Sequence, residues 1–298
     1  MLKRILFLAS FIFVTSGYLF AQAIIVPAPG MPEQFFHEQN PPIFLPLNKS
    51  IPEKVLKAKD ESFVAVRVGF QIIRPDQNIS EDAWYGAGFA VWPDYVVTSL
   101  HLFGTQPAVW HGTDEFPTVP QVFDGQAFFT AQLVFYNSKA DLALLKINTP
   151  NLSNQSFGKK PAKLIKMDIN DKDSLGRLAS YDNFYAFRPH VNNPHFFLPL
   201  KLGTFLSIVN NLDDGYFLEI PMGVLQGGVL PGLSGGPLFS PKGEVAGVVA
   251  RSSTNHTFAV TAETLNNFLT MAATHLGLDS KGKPLVPIPP DPLSPEEK

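Results

Sequence analysis

Hydrophobic and polar positions divide the chain into short strand-like segments. Residues 62–70, SFVAVRVGF, alternate apolar with small or polar side chains, the period of a strand with one buried face. Residues 86–103, GAGFAVWPDYVVTSLHLF, contain two apolar runs joined by Pro93-Asp94, a hairpin signal. AQLVFYNSKADLALLKI (131–147) predicts two more strands around Asn137-Ser138, and GYFLEI (215–220), GGPLFS (235–240), EVAGVVARSS (244–253) and TFAVTA (257–262) continue the pattern. Only TAETLNNFLTMAATHL (261–276) has helical spacing, with Thr261 as cap and Leu265, Phe268, Leu269 and Ala272 on one face. Many short strands closed by one helix predict antiparallel barrels or sandwiches, and about 215 residues is large for one barrel, so two small ones suit it.

The ends read differently. Lys3 and Arg4 precede an uncharged, apolar or small stretch from Ile5 to Phe20, followed by Ala21-Gln22-Ala23. This is the pattern of a signal peptide over residues 1–23, cut near Ala23, and it predicts export to the periplasm or beyond. A membrane anchor is the alternative, but the apolar run is short of the roughly 20 residues of a span and lacks a charged flank. No other long apolar run follows, so no stable membrane insertion is expected after cleavage. Pro27, Pro29, Pro32, Pro41, Pro42, Pro46 and Pro52 predict an extended Pro-rich arm over residues 24–61. Residues 278–298 end in KPLVPIPPDPLSPEEK and read as a disordered tail.

Composition narrows the function. The sequence has no cysteine, which removes disulfides, thiol catalysis and thiolate metal sites. With 45% hydrophobic residues, it has the material for a core without cross-links. The formal charge is −3 and no long basic run exists, so nucleic acid is not an expected partner. The 26 phenylalanines suit core and cleft better than a base-stacking platform. His37, His111, His190, His195 and His275 lack metal-ligand spacing, so neither metal nor cofactor is expected.

GLSGGPLFS (232–240) surrounds Ser234 with Gly232, Gly235 and Gly236. By itself this is as much a turn as a nucleophile. The G-x-S-x-G elbow of α/β-hydrolases needs an acid and then a histidine downstream; here His256 and His275 precede Asp279, and strand–helix alternation is missing. The order His, Asp, Ser does work: His101 ends the apolar run YVVTSLH, Asp141 begins DLALLKI, and Ser234 follows. Each sits at a strand end, where a sheet can aim a side chain into a shared cleft.

GAGFAVWPDYVVTSLHLF, ADLALLKI and LPGLSGGPLFSPKGEVAGVV together resemble the signature blocks of trypsin-like serine proteases, most similarly the cysteine-free bacterial HtrA/Deg-type branch, and FAVTAETLNNFL resembles the end of that domain. The resemblance spans residues 62–277. It implies a chymotrypsin-like all-β fold, two antiparallel six-stranded β-barrels with a C-terminal helix, and a serine endopeptidase acting on polypeptides. Ser234 would be nucleophile, His101 general base and Asp141 its orienter, with the N–H groups of Gly232 and Ser234 as oxyanion hole. The substrate pocket would lie near Gly227, Gly228, Ala250, Arg251 and Ser252. These include no acid, which argues against cleavage after Lys or Arg; a small apolar pocket is the default, and Arg251 or His256 is the candidate for attracting acidic side chains.

Three departures matter. Leu233 replaces the acid or amide usual before the serine, so the Ile24-Ile25-Val26 exposed by signal cleavage has no carboxylate to meet. Ser99-Leu100 replaces Ala-Ala before the histidine, and no PDZ pattern follows the helix. A catalytically inactive binding protein on the same fold and an esterase-type acyl hydrolase remain open. HtrA relatives often form trimers, which leaves a homo-oligomer open too.

Overall fold

The computed structural model describes residues 51–73, 79–104, 114–117, 119–148, 156–190, 193–209, 222–226, 232–252 and 256–285. The predicted signal peptide, most of the Pro-rich arm, the segment GYFLEI and the pocket candidates Gly227 and Gly228 lie outside them.

Among the described residues, seven strands form the first sheet: β1 (Phe63–Ile73), β2 (Ile79–Trp92), β3 (Tyr95–Ser99), β4 (Asp114–Pro117), β5 (Gln121–Phe123), β6 (Phe128–Asn137) and β7 (Leu142–Ile147). The order β2-β3-β7-β6-β5-β1, with β1 also paired to β2, closes a six-stranded antiparallel barrel, and β4 extends it from β1. The second sheet, also antiparallel, joins seven strands among the described residues: β8 (Phe184–His190), β9 (Asn193–Leu202), β10 (Phe205–Val209), β11 (Met222–Gln226), β12 (Pro237–Phe239), β13 (Val245–Ser252) and β14 (His256–Thr261), in the order β10-β11-β14-β13-β12-β8-β9. The architecture is the chymotrypsin-like arrangement of two β units and a C-terminal helix.

Two apolar clusters fill the two units and a third joins them. Val64, Val66, Val68, Val96, Leu145 and Ile147 fill the first barrel, whereas Phe184, Leu202, Leu238 and Val249 fill the second unit. The third cluster takes Phe89, Val97 and Leu144 from one side and Phe187, Phe239 and Val248 from the other. Strand β7 shows how: Leu142 and Leu144 face the joint, while Ala143 and Leu145 face the barrel interior. A strand buried on both faces reads as a continuous apolar run, which is why DLALLKI lacks alternation. Each such leucine, fully withdrawn from water, contributes roughly 1.5–3 kcal/mol.

Among the described residues, three α-helices complete the fold: α1 (Glu53–Ser62), α2 (Lys172–Ala179) and α3 (Ala262–Leu276). The last matches its sequence pattern. Thr261 Oγ1 accepts from Thr264 N–H at 3.2 Å, and Leu265, Phe268, Leu269 and Ala272 are buried against the joint. Helix α1 corrects the extended-arm reading for residues 53–61. Its carbonyl at Pro52 starts the first turn by accepting from Val55 N–H at 2.9 Å, and Val55 is fully buried in the joint.

The tail reading needs a similar correction over residues 278–285. Leu278 is buried, Asp279 N–H donates to Lys283 O at 2.7 Å, and Trp92 Nε1–H donates to Ser280 O at 3.2 Å. Gly282, at φ 74°, lies where a Cβ would collide with the Trp92 ring. This segment therefore straps the first barrel.

Candidate active site

His101 lies in a 3₁₀ turn, Leu100–Phe103, directly after β3. Leu100 and Leu102 on either side are buried in the first barrel, which leaves the imidazole to face outward, 30% exposed. Asp141 stands at the start of the neighbouring strand β7 and holds this turn by three contacts. Its backbone carbonyl accepts from Leu100 N–H at 3.0 Å, its Oδ1 accepts from His101 N–H at 2.8 Å, and its Oδ2 lies 2.6 Å from His101 Nδ1. A carboxylate only accepts, so Nδ1 carries the proton and Nε2 keeps its lone pair facing away from Asp141.

The backbone at Asp141 is left-handed, with φ 52°. Such conformations cost a non-glycine residue roughly 1–2 kcal/mol, though aspartate bears them better than most. Here the unusual dihedral turns the side chain back onto the histidine turn while the chain continues into β7. Strain at such a position marks geometry that the surroundings enforce.

Ser234 comes from the second unit, in the loop before β12. Its carbonyl accepts from Ala87 N–H at 2.9 Å, across the boundary between units. Gly235, at φ 82°, lies so close to β3 that a methyl group there would overlap Thr98 Oγ1, Ala87 O and Ser99 N. Gly86 is confined in the same way between the Leu102 side chain and Ser234 O. Glycine at these two places lets the serine loop lie directly on β2 and β3, because neither backbone could approach with a Cβ present.

The loop is fastened at further points. Gly235 N–H donates to Val249 O at 2.8 Å and Gly236 N–H to Leu233 O at 2.9 Å. Leu233, where the resemblance would put an acid or amide, is fully buried among the apolar residues of the second unit. An apolar anchor thus occupies the position where a carboxylate would await an ion pair. Among the described residues, the N–H groups of Gly232 and Ser234 donate to no backbone carbonyl.

The predicted pocket residues are less coherent. Ala250 is buried in the joint between units, and Arg251 lies beyond it on β13, partly exposed. For Ser252 only the strand backbone is described. Arg188, in β8, was not among the sequence candidates. Its Nε lies 3.3 Å from the place a Cβ on Gly232 would occupy, and Gly232 itself has φ 94°. No motif contains this arginine; its strand, FYAFRPH, shows only an isolated charge in an aromatic run.

Residues 86–248 match the family model of the trypsin-like peptidase domain. No curated protein matches the chain. Among solved structures, it is similar to the Rv3671c protease in an inactive form, at 19% identity and TM-score 0.50 over 75% of this chain and 98% of that one. It is also similar to the active form of that protease from M. tuberculosis, at 18% identity and TM-score 0.51 over 89% of this chain and 97% of that one. At such identities the likeness is one of fold.

Proposed function

Because the chain belongs to the trypsin-like peptidase family, we propose that it is an exported serine endopeptidase that cleaves polypeptides with Ser234, His101 and Asp141. Ser234 Oγ attacks the scissile carbonyl and His101 Nε2 takes its proton, later returning it to the leaving amine. Asp141 keeps the ring in the tautomer that leaves Nε2 basic and stabilises the imidazolium once it forms. The N–H groups of Gly232 and Ser234 receive the negative charge on the carbonyl oxygen, and one such donor is worth roughly 3–4 kcal/mol of transition-state stabilisation. The acyl-enzyme is then hydrolysed by water through the same steps. Export rests on the pattern of residues 1–23.

The single observation that carries this reading is the double hold of Asp141 on His101, on ring and backbone at once, at 2.6 and 2.8 Å. A structural ion pair needs only the first of these; fixing the backbone as well sets the direction of the ring's second nitrogen. Comparison of casein with a simple p-nitrophenyl ester tests the proposal. The wild type should hydrolyse casein and Ser234→Ala should not. Ester turnover without proteolysis would favour the acyl hydrolase, and absence of both would favour a binding protein.

A further inference from the structure

We infer that Arg188 is a specificity-determining residue, which selects peptides carrying a carboxylate side chain next to the scissile bond. The inference rests on the reading of Gly232 and Ser234 as the oxyanion hole.

Arg188 is held by a rigid strand. Phe187 is buried and packs edge-on against Phe63 and Phe239, at 6.1 and 6.0 Å between ring centroids, and the following Pro189 is buried as well. Pairing with Leu198 on β9 sets the register. From there the side chain runs along Gly232, with Cγ at 3.6 Å and Nε at 3.3 Å from the place of its missing Cβ. A Cβ at residue 232 would press on the arginine, which would have to give by a few tenths of an ångström. This glycine is therefore matched to Arg188 as well as to its own φ of 94°.

The charge of Arg188 is not answered within the described residues. Nε is buried without a hydrogen-bond partner, and no ion pair involves the guanidinium. Burial pushes its pKa down, and no neighbouring acid opposes that shift. A half-buried cation without an anion is costly, and guanidinium offers five donors in a fork that fits a carboxylate. Its neighbour Gly232 supplies one of the amides proposed to face the reacting carbonyl. Successive residues of an extended peptide are about 3.3–3.6 Å apart, so a side chain reaching Arg188 belongs to a residue within one or two of the scissile bond. The anion that completes this cation is thus part of the substrate. Phosphate or a carboxylate buffer would meet the same donors but would not move along a peptide register.

The test is a set of fluorogenic peptides in which one Glu is placed in turn at each of two positions on either side of the cleaved bond, each paired with its Gln counterpart. At one position the wild type should show a Glu-over-Gln preference of about tenfold or more in kcat/KM, as charge-assisted hydrogen bonds provide. Arg188→Gln should bring that ratio close to one, and Arg188→Lys should retain part of it. Thermal unfolding of both variants shows that they fold. A wild-type ratio near one at every position, with Ser234 still labelled by a fluorophosphonate, overturns the inference and leaves the peptidase intact. So does an equal fall for both peptides in Arg188→Gln, which would make Arg188 a support for the loop. Absence of labelling and of cleavage would overturn the peptidase reading as well.

Discussion

At the scale of single residues, the site depends on places where a side chain is either required or forbidden. His101 is partly exposed and packs through its neighbours, not through its own ring. His101→Ala should therefore abolish peptide hydrolysis while changing stability by no more than about 1 kcal/mol in urea unfolding. Asp141→Asn keeps a residue tolerant of the left-handed φ but can leave the wrong tautomer on the ring; turnover should fall about 10⁴-fold with little change in melting temperature. Gly235→Ala is the converse case. It adds a methyl where Thr98, Ala87 and Ser99 already lie, at a φ of 82°. The loss should exceed the roughly 1–2 kcal/mol of the left-handed conformation alone, and calorimetry of the purified variant would measure it. His101, Asp141 and Ser234 stand out in the sequence as candidates because each lies at the edge of an apolar run, where an isolated polar residue is conspicuous. Arg188 does not stand out, since it meets Gly232 only in space, forty-four positions away in the numbering.

At the scale of elements, the legible ones were those whose burial is simple. Helix α3 has one buried face and a threonine cap, and both appear directly in its spacing. Strands β3 and β7 are apolar on both faces because they divide a barrel interior from the joint, so their runs stood out even without alternation. Helix α1 was hidden by prolines upstream and enters the joint with Val55, beside the partly buried Ala58. Helix α2 depends on its cap. Asp171 accepts from the N–H groups of Asp173 and Ser174, both at 3.1 Å, and from the Ser174 hydroxyl at 2.8 Å. The hydroxyl first, and then those amides, hold its carboxyl below the ordinary value of 3.8. A depressed native pKa adds stability above the unfolded value and loses it as pH falls through the native one. The stability gap between wild type and Asp171→Ala should thus be constant at neutral pH and shrink below about pH 4.

At the scale of the molecule, the joint between the units packs them together and lays the Ser234 loop against the barrel of His101 and Asp141. The cluster containing Phe89, Leu144, Phe187, Phe239 and Phe268 presses the two units together, and the Ala87–Ser234 hydrogen bond crosses the same boundary beside it. The barrel that carries His101 and Asp141 is strapped by residues 278–285 across Trp92. Ending the chain at residue 277 should lower the melting temperature by exposing that indole, whereas ending it at 285 should not. The two-unit plan was legible because many short strands leave few alternatives for a chain of this length. The seventh strand of each sheet was not, since it depends on which edge accepts another partner. No helix among the described residues is long and apolar enough to cross a membrane.

The most direct test of the central claim is the position of a covalent adduct after treatment with diisopropyl fluorophosphate, found by intact mass and peptide mapping. A single adduct on Ser234, present in the wild type and lost in both Ser234→Ala and His101→Ala, is the predicted result. An adduct on another residue, or one on Ser234 that forms equally fast without His101, would contradict it.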